Sequence, residues 1–134
     1  LPTLPLRLLD PTRRAHMLFR KVRETKVAGI AAWELAFAER GSPTIVRDGG
    51  KDIPATGTFW IDPATGRVLR TTMRLEMNRV VAEMTVAYQQ AAKAGDTWVP
   101  GEMRETYQSS TRRLECVATY SKIRRFQVTT QEVK

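Results

Sequence analysis

The stretch Phe59-Trp60-Ile61-Asp62-Pro63-Ala64-Thr65-Gly66-Arg67-Val68-Leu69-Arg70 decides the fold. It reads as a β-hairpin: a strand, a turn, a second strand. Pro63 pre-sets the φ that a turn needs after its first residue, and Gly66 supplies a positive φ to close it. Strand-and-turn units of the same kind follow to the end of the chain. They predict an all-β protein, a curved antiparallel meander resembling a half-barrel, or a β-rich α+β protein if a helical part lies upstream.

Alternation carries that prediction outward from the hairpin. Leu69, Thr71, Met73, Leu75 and Met77 share one face, and Arg70, Thr72, Arg74 and Glu76 the other. Val80, Ala82, Met84, Val86 and Tyr88 repeat the pattern against Glu83, Thr85 and Gln89. Residues 91–96 make a connection. Residues 98–107 form the next strand, with Pro100 and Gly101 marking an edge or a bulge. Leu114, Cys116, Ala118 and Tyr120 then alternate with Arg113, Glu115, Val117 and Thr119, and Phe126 and Val128 start a last short strand. One apolar and one wet face is what an antiparallel sheet covered on one side requires.

Upstream the signals are weaker. Residues 15–40 have some helical spacing in Leu18, Phe19, Val22 and Lys26. The turn-like Val27-Ala28-Gly29-Ile30 and the alternation in Trp33-Glu34-Leu35-Ala36-Phe37 favour a hairpin, with strands near 16–26 and 31–39. Residues 41–55, with Gly41, Pro43, Gly49, Gly50 and Pro54, read as a loop in which 43–47 pairs briefly as an edge. Residues 1–14 are a Pro- and Leu-rich lead-in. Pro2, Pro5 and Pro11 exclude a regular helix there, and Leu4, Leu6, Leu8 and Leu9 are apolar enough to pack on the sheet or on an upstream part. The remaining residues, 15–134, form a single sheet domain, read as the C-terminal portion of a longer protein.

The chain has 134 residues and a net charge of +8 from 22 basic and 14 acidic side chains, 16 of the former being Arg. Such a balance suits an anionic partner without choosing among nucleic acid, lipid headgroups and an acidic protein. Cys116 is the only cysteine, so no intrachain disulfide forms, and its apolar-phase position reads as a buried structural thiol. No apolar run approaches the roughly 18 residues that cross a membrane.

Chemistry-bearing patterns are sparse. The one histidine, His16, has no serine motif to activate, and one His with one distant Cys does not make a zinc site. Asp48, Asp52, Asp62 and Asp96 lack calcium-loop spacing, and Gly49-Gly50-Lys51 lacks the rest of a phosphate loop. Glu76, Glu83, Glu102, Glu105 and Glu115 each have Arg within reach and read as cross-strand ion pairs. The reading therefore names no catalytic residue, no metal site and no cofactor.

Two binding readings remain open. Arg67, Arg70, Arg74, Arg104, Arg112 and Arg113 on a sheet would suit nucleic acid, but Trp60, Tyr88, Tyr107 and Tyr120 fall mostly in phase with apolar residues, and no ribonucleoprotein-type motif accompanies them. The inward phases offer instead an apolar surface of Met73, Leu75, Met77, Met84, Val86, Tyr88, Met103, Tyr107 and Tyr120, with Arg67, Arg70, Arg74 and Arg104 as a basic rim. Methionine adapts to varied apolar partners, so this surface is an expected cradle for an acyl chain or apolar peptide.

Residues 57–70, then 98–105, then 118–126 resemble the C-terminal half of a group of exported bacterial proteins similar to periplasmic lipoprotein carriers and outer-membrane lipoprotein-sorting proteins. The segment 27–35 fits the same picture as a hairpin preceding a strand. The resemblance implies a curved half-barrel lined with apolar residues, a location in the periplasm or cell envelope, and a lipid or acylated protein as ligand, with peripheral membrane contact. It carries over no functional residue set. The expected function is non-enzymatic binding of an apolar or lipidated ligand. The alternative is a structural or docking subunit whose sheet face meets a protein partner or a second copy, and the third is a basic nucleic-acid-binding sheet.

Overall fold

The computed structural model describes residues 2–90, 98–122 and 125–133, with side chains as far as Thr119. Two 3₁₀ segments, Leu4–Leu9 and Pro11–His16, lead into ten strands: β1 Met17–Val27, β2 Ile30–Glu39, β3 Val46–Asp48, β4 Lys51–Ile53, β5 Thr56–Ile61, β6 Val68–Met77, β7 Val80–Gln90, β8 Trp98–Gln108, β9 Arg113–Lys122 and β10 Arg125–Val133. Eight of them form one antiparallel sheet in the order β1-β2-β5-β6-β7-β8-β9-β10, and β3 and β4 pair separately. The fold is thus an all-β, open, curved meander. β1 and β10 are its two edges.

The opening hairpin is β5–β6. Its turn is closed by the Gly66 amide donating to the Asp62 carbonyl at 2.8 Å and the Asp62 amide donating to the Arg67 carbonyl at 2.9 Å. The Asp62 carboxylate accepts from the Ala64 amide, and Gly66 has φ of 75°. Three other hairpins turn on two residues, both with positive φ: Ala28-Gly29, Gly49-Gly50 and Asn78-Arg79. That is the turn geometry whose twist matches paired strands.

Register shifts lie between Lys21 and Arg23 in β1, between Trp60 and Ile61 where β5 meets β6, and between Ala87 and Tyr88 where β7 meets β8. At the last, Tyr88 pairs with Pro100 and Ala87 with Glu102, so Gly101 is the bulged residue and β8 is an interior strand. Pro100-Gly101 therefore marks a bulge, not an edge. At the β5–β6 shift Trp60 pairs with Arg70 and lies on the wet face, not with the apolar residues. There its indole donates to Glu34 at 3.0 Å and Arg70 lies 5.1 Å from its ring.

Residues 41–55 are more ordered than a loop. Gly49-Gly50 folds them into the β3–β4 hairpin, which delivers Ile45, Val46 and Ile53 to the core. The last strand, β10, spans nine residues and is not short. The lead-in is two 3₁₀ segments, and it does pack on the sheet: Pro5 and Leu8 are buried, with Leu4, Leu6 and Leu9 packed against the core. The 91–96 connection, with Asp96, lies outside the described residues.

Gly57 permits the tight centre of the sheet. A Cβ there would stand 2.0 Å from the Thr72 carbonyl oxygen and 2.8 Å from the Phe37 ring. Phe37, paired directly with Gly57, fills the space over it and packs on Phe59 with ring centroids 4.8 Å apart.

Arg79 sits at φ of 71°, a conformation that costs a residue with Cβ about 1 kcal/mol and a glycine almost nothing. Arg79→Gly, which creates an Asn-Gly turn, is expected to raise the urea midpoint, by about 1 kcal/mol of stability at unchanged m-value. A lower midpoint would show that the Arg79 side chain contributes more than its backbone costs.

Candidate functional site

The inner face is built from residues directly opposite one another on successive strands. One row runs Phe59, Thr71, Val86, Met103, Ala118. The next runs Gly57, Met73, Met84, Glu105, Cys116, and the third Leu75, Ala82, Tyr107, Leu114. Alternation alone assigns these residues to one face, because paired residues point the same way.

The rows differ in cover. Met73, Leu75, Met84, Val86, Tyr88 and Met103 are buried, packed in one cluster with Leu8, Met17, Phe37, Ile53 and Ala55. The 3₁₀ lead-in and the β3–β4 hairpin therefore occupy the middle of the surface expected to cradle a ligand. Met77 is half-buried against this cluster. The Tyr88 hydroxyl donates to the Pro2 carbonyl at 3.0 Å, fixing the start of the lead-in over the sheet, and burial pushes its phenol above the usual range. The Trp98 indole donates to the Val68 carbonyl at the same end.

At the opposite end of the strands the cover runs out. Along the third row Leu75 and Ala82 are buried, whereas Tyr107 and Leu114 are each 37% exposed. Here lies an open hollow of about 220 Å³ lined by Val80, Tyr107 and Leu114, with Ser109, Arg112 and Arg113 at its side. The Tyr107 hydroxyl donates to Glu105 at 3.0 Å. Desolvation, with help from the Glu105 carboxylate, pushes the Tyr107 phenol up to about 12, so it stays a neutral donor at physiological pH. Of the predicted ligand residues, Tyr107 lines the hollow. Val80, Leu114, Arg112 and Arg113 complete it, and strand ends meeting at the 109–112 turn bring them together. The side chain of Tyr120 lies outside the described residues.

The predicted basic rim is placed elsewhere. Arg70, Arg74 and Arg104 project from the wet outer face, in rows with Trp60, Glu83 and Val117. Arg74 pairs with Glu76 at 3.1 Å and Glu83 at 3.9 Å, and Arg104 bridges Glu115 and Glu102. Arg67 lies in the β5–β6 turn, 5.3 Å from the Trp98 ring. Cross-strand ion pairing accounts for Glu83 and Glu115, whereas Glu76 and Glu102 pair with Arg74 and Arg104 of their own strands, and Glu105, on the inner face, holds Tyr107 instead. Cys116 is half-buried on the inner row, not fully buried.

A second polar cluster joins the lead-in to the sheet. The Glu39 side chain is fully buried, accepts from the Ile45 amide at 2.9 Å and the Ala55 amide at 3.1 Å, and pairs with Arg13 at 2.9 Å. Asp52 accepts from Ser42 and from the Thr44 amide. His16 packs against Gly41 next to this cluster. Among the described residues no three His, Cys, Asp or Glu side chains gather as metal ligands, and no helix is long and apolar enough to cross a membrane. Comparisons with protein-family models, curated proteins and solved structures return no match.

The hydrogen bonds from Ser42 and Thr44 lower the Asp52 pKa from its ordinary 3.8. A carboxylate depressed on folding stabilises above its unfolded pKa, and that contribution disappears as pH falls through the folded value. Acidification below about pH 4 is therefore expected to loosen the β3–β4 hairpin, read as faster amide exchange at Thr44. Asp52→Asn should flatten that pH dependence. An unchanged profile would assign the acid sensitivity to another carboxylate.

Proposed function

We propose that this protein is a non-catalytic binding module for an apolar or lipidated ligand carrying an anionic group, seated on the inner face of its sheet. The observation that supports this most is the open end of that face. Apolar Val80, Tyr107 and Leu114 line the hollow together with Arg112 and Arg113, where the cover over the third row runs out. Burying a ligand methylene there contributes about 0.8 kcal/mol. Arginine meets a carboxylate or phosphate with paired donors.

A hollow of about 220 Å³ matches a ring or a branched aliphatic end, not a whole acyl chain. A longer ligand would have to continue along the inner face toward Met77 and displace part of the lead-in. In this reading the sheet is a half-barrel that acts as a carrier in the cell envelope, an assignment that rests on the resemblance described above.

The test is native mass spectrometry of the purified protein with organic extraction of what it carries, joined to titration with a fluorescent aryl sulfonate and a fluorescent fatty acid. Binding of an anionic apolar probe that Leu114→Glu reduces at least about tenfold, with the fold intact by circular dichroism, is the expected result. Equal binding to the Leu114→Glu and unaltered proteins would overturn the site. Substituting Met73, Leu75 or Met84 would not serve, since these are core residues and their loss destabilises the sheet.

A further inference from the structure

The β1 edge carries a pattern independent of the hollow. β1 is a terminal strand of the eight-stranded sheet, and among the described residues no segment pairs with its outer side. It is eleven residues long, and eight of them are exposed. Leu18 is 47%, Phe19 45% and Val22 41% exposed, and Ile30 and Trp33 of the adjoining β2 are exposed as well. Five of the seven large exposed hydrophobic residues thus lie on this one hairpin. A long unpaired edge bearing apolar side chains is a template for a further strand.

Charge selects what can pair there. β1 bears Arg20, Lys21, Arg23 and Lys26 against the single carboxylate of Glu24. Arg23 is paired with Glu34 at 3.2 Å, and Lys21 approaches Glu24 at 3.2 Å while lying 3.9 Å over the Trp33 ring. Arg20 and Lys26 form no ion pair among the described residues. A second copy of β1 would set like charges against one another, which destabilises a strand pair. The register shift at Val22 divides the edge into two short runs and further discourages indefinite self-pairing.

We propose that β1 is a docking edge for an extended acidic segment of a different protein, added as a ninth strand along Met17–Lys21. On that run Phe19 and Lys21 point inward and Leu18 and Arg20 outward, by their pairing with Phe37, Leu35, Ala38 and Ala36. An antiparallel partner therefore reads, from its N-terminus, two acidic residues opposite Lys21 and Arg20, then two apolar residues opposite Phe19 and Leu18. Backbone ladder bonds supply affinity, and the two acidic residues supply selectivity.

The experiment uses the full chain labelled for amide-resolved hydrogen exchange, with two synthetic peptides, one containing Glu-Glu-Val-Leu and one containing Lys-Lys-Val-Leu in the same flanks. The acidic peptide should slow exchange on β1 by about tenfold or more at saturation. The lysine peptide should not, and added salt should weaken the acidic complex. The double variant Arg20→Glu with Lys21→Glu should reverse the preference. Both positions are exposed, and unchanged exchange in β6–β8 would certify that the variant folds. Equal protection by both peptides, protection by neither, or protection of β1 through self-association in the absence of peptide would each overturn the proposal.

Discussion

The buried carboxylate of Glu39 holds the two covers of this sheet in place. A lone charge out of water costs several kcal/mol and persists only where partners compensate it fully. At Glu39 each partner comes from a different part of the chain: Arg13 from the lead-in, the Ile45 amide from the approach to β3, and the Ala55 amide from the start of β5. Arg13 also donates to the Pro43 carbonyl at 2.8 Å, so the same guanidinium reaches the loop before the hairpin. Arg13 and Ala55, 42 residues apart in sequence, thus converge on one group, and Leu8 and Ile53 are carried into the core by the same two covers. Without these covers, the Met-rich inner rows would face water.

That arrangement explains why one face of one sheet can be both core and candidate site. Where the lead-in and the β3–β4 hairpin reach, Met73, Met84 and Met103 pack as an ordinary interior. Where they stop, the same rows continue into Tyr107 and Leu114, each 37% exposed. The boundary between core and site is therefore set by how far two six-residue 3₁₀ segments and two three-residue strands extend, not by a change in the sheet. The wet face behaves differently: Arg74 and Arg104 are engaged by glutamates of their own and neighbouring strands and Arg70 lies against the Trp60 ring, which leaves the basic excess most evident at the β1 edge and around the hollow.

Period-two alternation made the sheet legible. From Leu69 to Tyr88 each inward residue was named correctly because each strand is long and its two faces differ in polarity. Gly66 and Gly29 gave their turns for the same reason, since positive φ leaves few residue choices. The misplacements came where phase or length gave little to count. Trp60 follows the inward Phe59, so alternation turns it to the wet face opposite Arg70 although its ring is apolar, and the extra residue Leu69 comes only after that pair. The β3–β4 hairpin was hidden by its length, three residues a strand, and Gly49-Gly50 was its only signal. The hollow was half legible: Tyr107 stands out by alternation, but Arg112 and Arg113 join it only because β8 and β9 turn back at Ser109. Nothing short of the three-dimensional structure identifies Glu39 as a hub, since its partners are distant in sequence.

The most direct measurement is amide exchange in the Glu39→Gln protein. A glutamine keeps one acceptor whichever way its amide points, and turns a donor toward a former partner. If Glu39 ties the covers to the sheet, exchange at Ile45 and Ala55 accelerates together with that of the Arg13 amide in the lead-in, while the central amides of β6, β7 and β8 stay slow. Unchanged exchange at Ile45 and Ala55, or loss at the hairpin with the lead-in still protected, would contradict it.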